Sequence, residues 1–113
     1  MSTTVPQWPG LFRTEIQHAE FSVPGREVIA IRVEIGPEAP AVRHKHPGEE
    51  IVYVLDGTIE YLIDGQEPIT VQAGEGLTVP AEAAHATGTR TGTVVLGTHV
   101  VEKNKPFLVL ADD

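Results

Sequence analysis

The sequence predicts an all-β protein of the sandwich or barrel type, folded as one domain. Three observations carry that expectation: the spacing of turn signals, the alternation of apolar residues between them, and the lack of any helical period. With 113 residues, the chain can close one core and is too short for two. Turn pairs recur at Pro9-Gly10, Pro24-Gly25, Gly36-Pro37, Pro47-Gly48, Asp56-Gly57, Asp64-Gly65 and Gly74-Glu75-Gly76. A turn roughly every 8–12 residues, between runs rich in Val, Ile, Thr and Tyr, is the pattern of short antiparallel strands. No window of about eleven residues shows the 3.6-residue apolar repeat of a capped helix.

Taken in order, residues 1–14 read as a loosely structured arm ahead of a barrel domain over residues 15–113. Trp8 and Phe12 are its anchors, either on the barrel's own edge or on a neighbour. Val28–Ile35 follows as a strand, with Ile29, Ile31, Val33 and Ile35 on one face and Val28, Ala30, Arg32 and Glu34 on the other. Ile51–Leu55 is expected to turn at Asp56-Gly57 into Thr58–Ile63, because Asp-Gly between apolar runs is a strong hairpin cue. Asp64-Gly65 turns the chain again towards Ile69–Val71. Leu77–Val79, Thr93–Val101 and Phe107–Leu110 complete the set. Ile51–Leu55 and Val94–Val101 are apolar on both faces, so they are expected between two layers or in an interface. In so short a chain a second layer implies a second copy, hence a homodimer.

Composition narrows the chemistry. Eight Lys and Arg against sixteen Asp and Glu give a net charge of −8, which leaves no basic stripe for nucleic acid or an anionic membrane. No apolar run approaches the roughly 20 residues of a membrane span, and the opening MSTTVPQWPG lacks the build of a secretory signal. A cytoplasmic protein is the expectation. With no Cys at all, thiolate metal sites, disulfides and thiol nucleophiles are excluded. Five His and the carboxylates remain. The only serines are Ser2 and Ser22, which excludes a Gly-x-Ser-x-Gly nucleophile, and Gly74-x-Gly76 runs into Pro80, not into a phosphate-binding helix.

The informative stretch is Arg43-His44-Lys45-His46-Pro47-Gly48-Glu49-Glu50. In an extended strand His44 and His46 point to one face, roughly 7 Å apart along the chain, within reach of one ion. Pro47 favours extended geometry before it, and Pro47-Gly48 permits a turn that brings Glu50 alongside. Later in the chain, a strand ended by Pro80 presents His85 near a strand start. Three imidazoles and a carboxylate suit one divalent first-row transition metal (Fe, Mn, Ni, Co, Cu or Zn) and leave positions open for a ligand. Glu49 points away from Glu50, and His18 has nothing at ligand spacing, so both belong to the surface. His99 shares a face with Val95, Gly97 and Val101, where Gly97 leaves room for a ligand. Arg32 has two readings: an ion pair with Glu34 at the surface, or a reach into the barrel to hold a substrate carboxylate. Arg32 and His99 are therefore the candidate substrate-pocket residues. Tyr53 and Tyr61 read as packing residues.

These residues resemble the two motifs of the cupin superfamily. His44-x-His46, then Glu50 after three intervening residues and Gly57 after six more, follows the first motif, with Glu38 where its leading Gly is usual. Gly74, Pro80 and His85 follow the second, with Glu82 in place of a Gly and Thr89 in place of an Asn. The resemblance covers roughly residues 36–89. It implies a six-stranded double-stranded β-helix, a jelly-roll-like cupin barrel, with the metal held by His44, His46, Glu50 and His85. It further implies a small organic substrate and dioxygenase, isomerase, lyase or decarboxylase chemistry. The alternative is a non-catalytic module that binds or senses a small molecule, because this barrel serves both.

Overall fold

The structure is a computed structural model, and it describes residues 3–111. Ten strands run in order: β1 (Thr4–Trp8), β2 (Leu11–Glu20), β3 (Arg26–Ile35), β4 (His44–Lys45), β5 (Glu50–Ile63), β6 (Ile69–Gln72), β7 (Gly76–Val79), β8 (His85–Gly88), β9 (Thr93–Glu102) and β10 (Val109–Leu110). Every pairing is antiparallel. No helix occurs among the described residues, and none is therefore long and apolar enough to cross a membrane. The expected all-β double-stranded β-helix is the architecture found, though with ten strands in place of six.

The sheet follows the order β1-β2-β3-β9-β5-β8-β4-β10, with β6 and β7 also paired to β5. β5 joins its two halves. Residues Glu50–Gly57 pair with β9, while Thr58–Ile63 pair with β6 and β8. The hairpin expected at Asp56-Gly57 does not form; β5 runs straight through it. Asp56-Gly57 is instead a bulge, with the register against β9 slipping between Val54 and Asp56 and Gly57 at φ 77°. The same left-handed conformation that suits an Asp-Gly turn serves a strand that must bend from one sheet into the other. Asp64-Gly65 does turn, leading into β6 as expected.

Residues 4–14 are also more ordered than a loose arm. β1 pairs with β2, and β2 with nearly the whole of β3. Trp8 packs against the core of its own barrel, with its ring edge-on to His44 at 5.1 Å between centroids. Alternation along β3, β5 and β9 sends Ile31, Val33, Ile35, Val52, Val54, Ile59 and Val95 into one core. The opposite face of β5 is left uncovered within the chain, with Ile51 51% and Tyr53 48% exposed.

Candidate metal centre

Strand pairing places the candidate residues side by side. His44 of β4 lies directly opposite His85 of β8, and Glu50 of β5 lies opposite His99 of β9. Opposed residues on neighbouring strands share a face, with Cβ atoms roughly 5 Å apart. His46 follows β4 with its ring on the same side as that of His44, the two centroids 5.0 Å apart. All five side chains are buried, while Glu49 is exposed. The face predicted for the His-x-His pair and Glu50 is the face that turns inward.

Each of the three motif histidines is oriented by a backbone carbonyl. Nδ1 of His44 donates to Val42 O at 2.8 Å, that of His46 to Phe107 O at 2.8 Å, and that of His85 to Ala83 O at 3.0 Å. A carbonyl only accepts, so Nδ1 carries the proton and Nε2 keeps its lone pair for the cavity. Burial strengthens that state: it lowers His44 and His46 from 6.5 to about 4 and moves His85 in the same direction. Burial likewise raises Glu50 from 4.5 to about 7. Its Oε1 stands 3.8 Å from His46 Nε2 and 3.7 Å from His85 Nε2.

The donors converge closely enough for one ion. Single donor atoms of His44, His46 and His85 lie within 4.8 Å of one another, and so do those of His46, Glu50 and His99. Neutral imidazole lone pairs gathered around a buried carboxyl group form a donor set that could hold a divalent cation. The nitrogen and oxygen donors, with no thiolate, could hold any of the divalent first-row ions.

Around the donors lies a cavity of about 40 Å³, whose lining includes Gln7, Leu11, Tyr61 and Thr87, with room for roughly one water. The Tyr61 ring stacks on His85, and burial followed by the charge of Glu50 raises its phenol well above the usual range. Phe107 packs against His46 and His99, with centroids at 5.1 and 4.6 Å. Phe107 and Ile31 also line an open groove of about 560 Å³, together with Arg13.

Of the two pocket candidates, His99 is inside and Arg32 is not. Arg32 pairs with Glu34 and its side chain is 40% exposed. The reason is alternation: β3 gives its inward positions to Ile31, Val33 and Ile35. A cation whose charge does reach the cluster, acting on His46 and His99, is Arg13, with its guanidinium 5.0 Å over the Phe107 ring and Nη1 donating to Gln7 Oε1 at 3.3 Å. No sequence signal marked Gln7, Arg13 or Phe107. His18 is a surface residue between Glu15 and Glu27.

The two departures from the second motif are both accommodated locally. Glu82 adopts φ 63°, the left-handed conformation that favours Gly, while its backbone N–H donates to His46 O at 2.9 Å. Its carboxylate faces Lys45 at 3.6 Å and stays out of the cavity. Thr89 donates its hydroxyl to Thr58 O at 2.8 Å and accepts from Gly92 N at 3.0 Å, a bridging role open to any short polar side chain.

Comparison with known proteins agrees with this fold. A dimethylsulfoniopropionate lyase, DddQ, from Ruegeria pomeroyi is 39% identical over 46 residues, which are 41% of this chain and 23% of that protein. The chain thus matches less than a quarter of that relative's length. The crystal structure of DddQ superposes with a TM-score of 0.67 at 27% identity, covering 74% of this chain and 43% of the other. KdgF from Halomonas sp. superposes with a TM-score of 0.72 at 20% identity, over 90% of both chains, which is a likeness of fold. The sequence pattern of the cupin domain matches residues 31–101. That span is well over half the chain and contains all five inward-facing donors, so the protein belongs to the cupin domain family.

Proposed function

We propose that this cupin is a mononuclear metal enzyme in which His44, His46, Glu50 and His85 hold one divalent first-row ion, and that it acts as a lyase on a small organic acid. The observation that carries the reading is the set of three Nδ1-to-carbonyl hydrogen bonds, which leave three Nε2 lone pairs free, those of His46 and His85 facing Glu50 Oε1. A bound ion there supplies Lewis-acid polarisation of a substrate oxygen. The chain supplies the rest. Trp8 packs edge-on against His44 and Phe107 against His46, placing apolar rings beside the two ligands. Arg13, with no carboxylate within ion-pair distance among the described residues, offers a cation to an acid lying in the groove. The local similarity to a lyase favours elimination over the dioxygenase, isomerase and decarboxylase alternatives.

The test begins with metal content after anaerobic purification. One equivalent of metal is expected in the wild type, and none in His46→Ala; equal content in both removes the ligand assignment. Metal-loaded protein is then offered acids with a leaving group β to the carboxylate, dimethylsulfoniopropionate among them. Turnover supports the enzyme. The smallness of the cavity, about 40 Å³, favours a second reading as a binding or sensing module. Thermal stabilisation by those acids without turnover selects it.

The reading includes a homodimer, supported by the uncovered row Ile51, Tyr53 and Leu55 on β5. Sedimentation at micromolar concentration is expected to give twice the 12.2 kDa of the chain, and Tyr53→Glu to give the single mass. A monomeric wild type removes the dimer.

A further inference from the structure

One buried imidazole has no task in the four-ligand reading. His99 is wholly buried, and neither ring nitrogen has a hydrogen-bond partner among the described residues. The other cavity histidines each commit Nδ1 to a carbonyl, so His99 alone is left with both nitrogens unanswered. Buried polar atoms are paired in the great majority of cases, and an exception calls for a cause. Glu50 is not that partner: its Oε2 stands 3.5 Å from His99 Nε2, beyond the usual N–H···O range.

The geometry points elsewhere. Donor atoms of His46, Glu50 and His99 lie within 4.8 Å of one another, the same limit met by His44, His46 and His85, and His46 belongs to both trios. Donors roughly 2.1 Å from a common ion lie at most about 4.2 Å apart, so only a small inward movement closes either trio. Glu50 stands between them, with Oε1 towards His46 and His85 and Oε2 towards His99. Gly97 makes the approach possible: a Cβ there would come 2.8 Å from Glu50 Oε2 and 3.5 Å from His99 Nε2.

Resting on the metal centre proposed above, we propose that His99 is a fifth protein ligand, so that the ion is held by His44, His46, His85, His99 and one oxygen of Glu50. Five protein donors leave an octahedral ion one exchangeable position where four leave two. A substrate then binds through a single oxygen and not as a chelate.

Proton NMR of the Co(II)-loaded protein counts the ligands. Each imidazole bound through Nε2 carries an Nδ1–H that appears as a strongly shifted, solvent-exchangeable signal. Four such signals are expected from the wild type and three from His99→Gln. Three signals in the wild type overturn the proposal and leave the centre standing. No shifted signal in the wild type overturns the centre, and the fifth ligand with it. The wild-type count decides the matter even where the variant does not fold.

Discussion

Gly97 shows how a single residue sets the limits of the cavity. The space its side chain would fill is already occupied by the Glu50 carboxylate, 2.8 Å from an ideal Cβ. An alanine there must push Glu50 away from His46 and His85, or spread β9 from β5. Gly97→Ala is therefore expected to keep the fold and to weaken metal binding by about 10- to 100-fold, the loss typical when a ligand's support is disturbed. Competition against a chromophoric chelator measures it, and unchanged affinity would mean that Glu50 is not a ligand. Thr89 and Glu82 make the complementary point. Both stand where the family pattern has another residue, and each meets the backbone requirement of its position without entering the site.

At the scale of elements, β5 is where sequence and structure part most informatively. Asp56-Gly57 reads as a hairpin because Asp-Gly supplies positive φ between two apolar runs, yet a bulge in a bending strand asks for the same thing. Gly57 combines φ 77° with a Cβ position 2.2 Å from Gly92 O, so neither conformation nor space admits a side chain. Gly57→Ala is expected to cost at least about 2 kcal/mol, lowering the melting temperature on the order of 10 °C. A melting curve matching the wild type would remove the bulge from its structural role. The ligand face was legible because His44, His46 and Glu50 lie within one short segment, where local geometry decides direction. His85 was legible only through its register with Pro80 and Gly74. Arg13 and Phe107 were not legible at all, since Phe107 reaches His46 across 61 residues of chain and no local period records that approach. Of the two readings of Arg32, the surface pair with Glu34 is the one found: strand alternation tells which residues share a face, and only packing tells which face is inside. β1 and β2 were missed because their polar, largely exposed composition hides strands that are fixed by pairing with β3.

Across the whole molecule, the buried cluster couples stability, pH and metal. Burial holds His44 and His46 at about 4 against their ordinary 6.5, and lowers His85 and His99 as well. Above pH 6.5 these groups are neutral both folded and unfolded and add no pH dependence. As pH falls from 6.5 towards 4, the unfolded chain takes up protons that the fold refuses, and the fold loses stability. Glu50 acts in the opposite sense. Raised from 4.5 to about 7, it lowers stability as pH rises across that interval, because the unfolded carboxyl ionises first. Each shift of this size is worth about 3 kcal/mol, and one Glu cannot offset four His. The metal-free protein is therefore expected to melt at progressively lower temperature from pH 6.5 down to 4. A bound divalent ion requires neutral imidazoles and an ionised Glu50, so protons compete with it throughout this range. At 100 times its dissociation constant, free ion adds about 2.7 kcal/mol to stability, on the order of 10 °C in melting temperature for a domain of this size. Melting curves with and without a chelator, taken at fixed metal concentration from pH 8 to 5, are expected to show the widest gap above pH 7, closing as Glu50 takes its proton. A gap that stays constant across that range would mean that the ion sits somewhere other than among these five side chains.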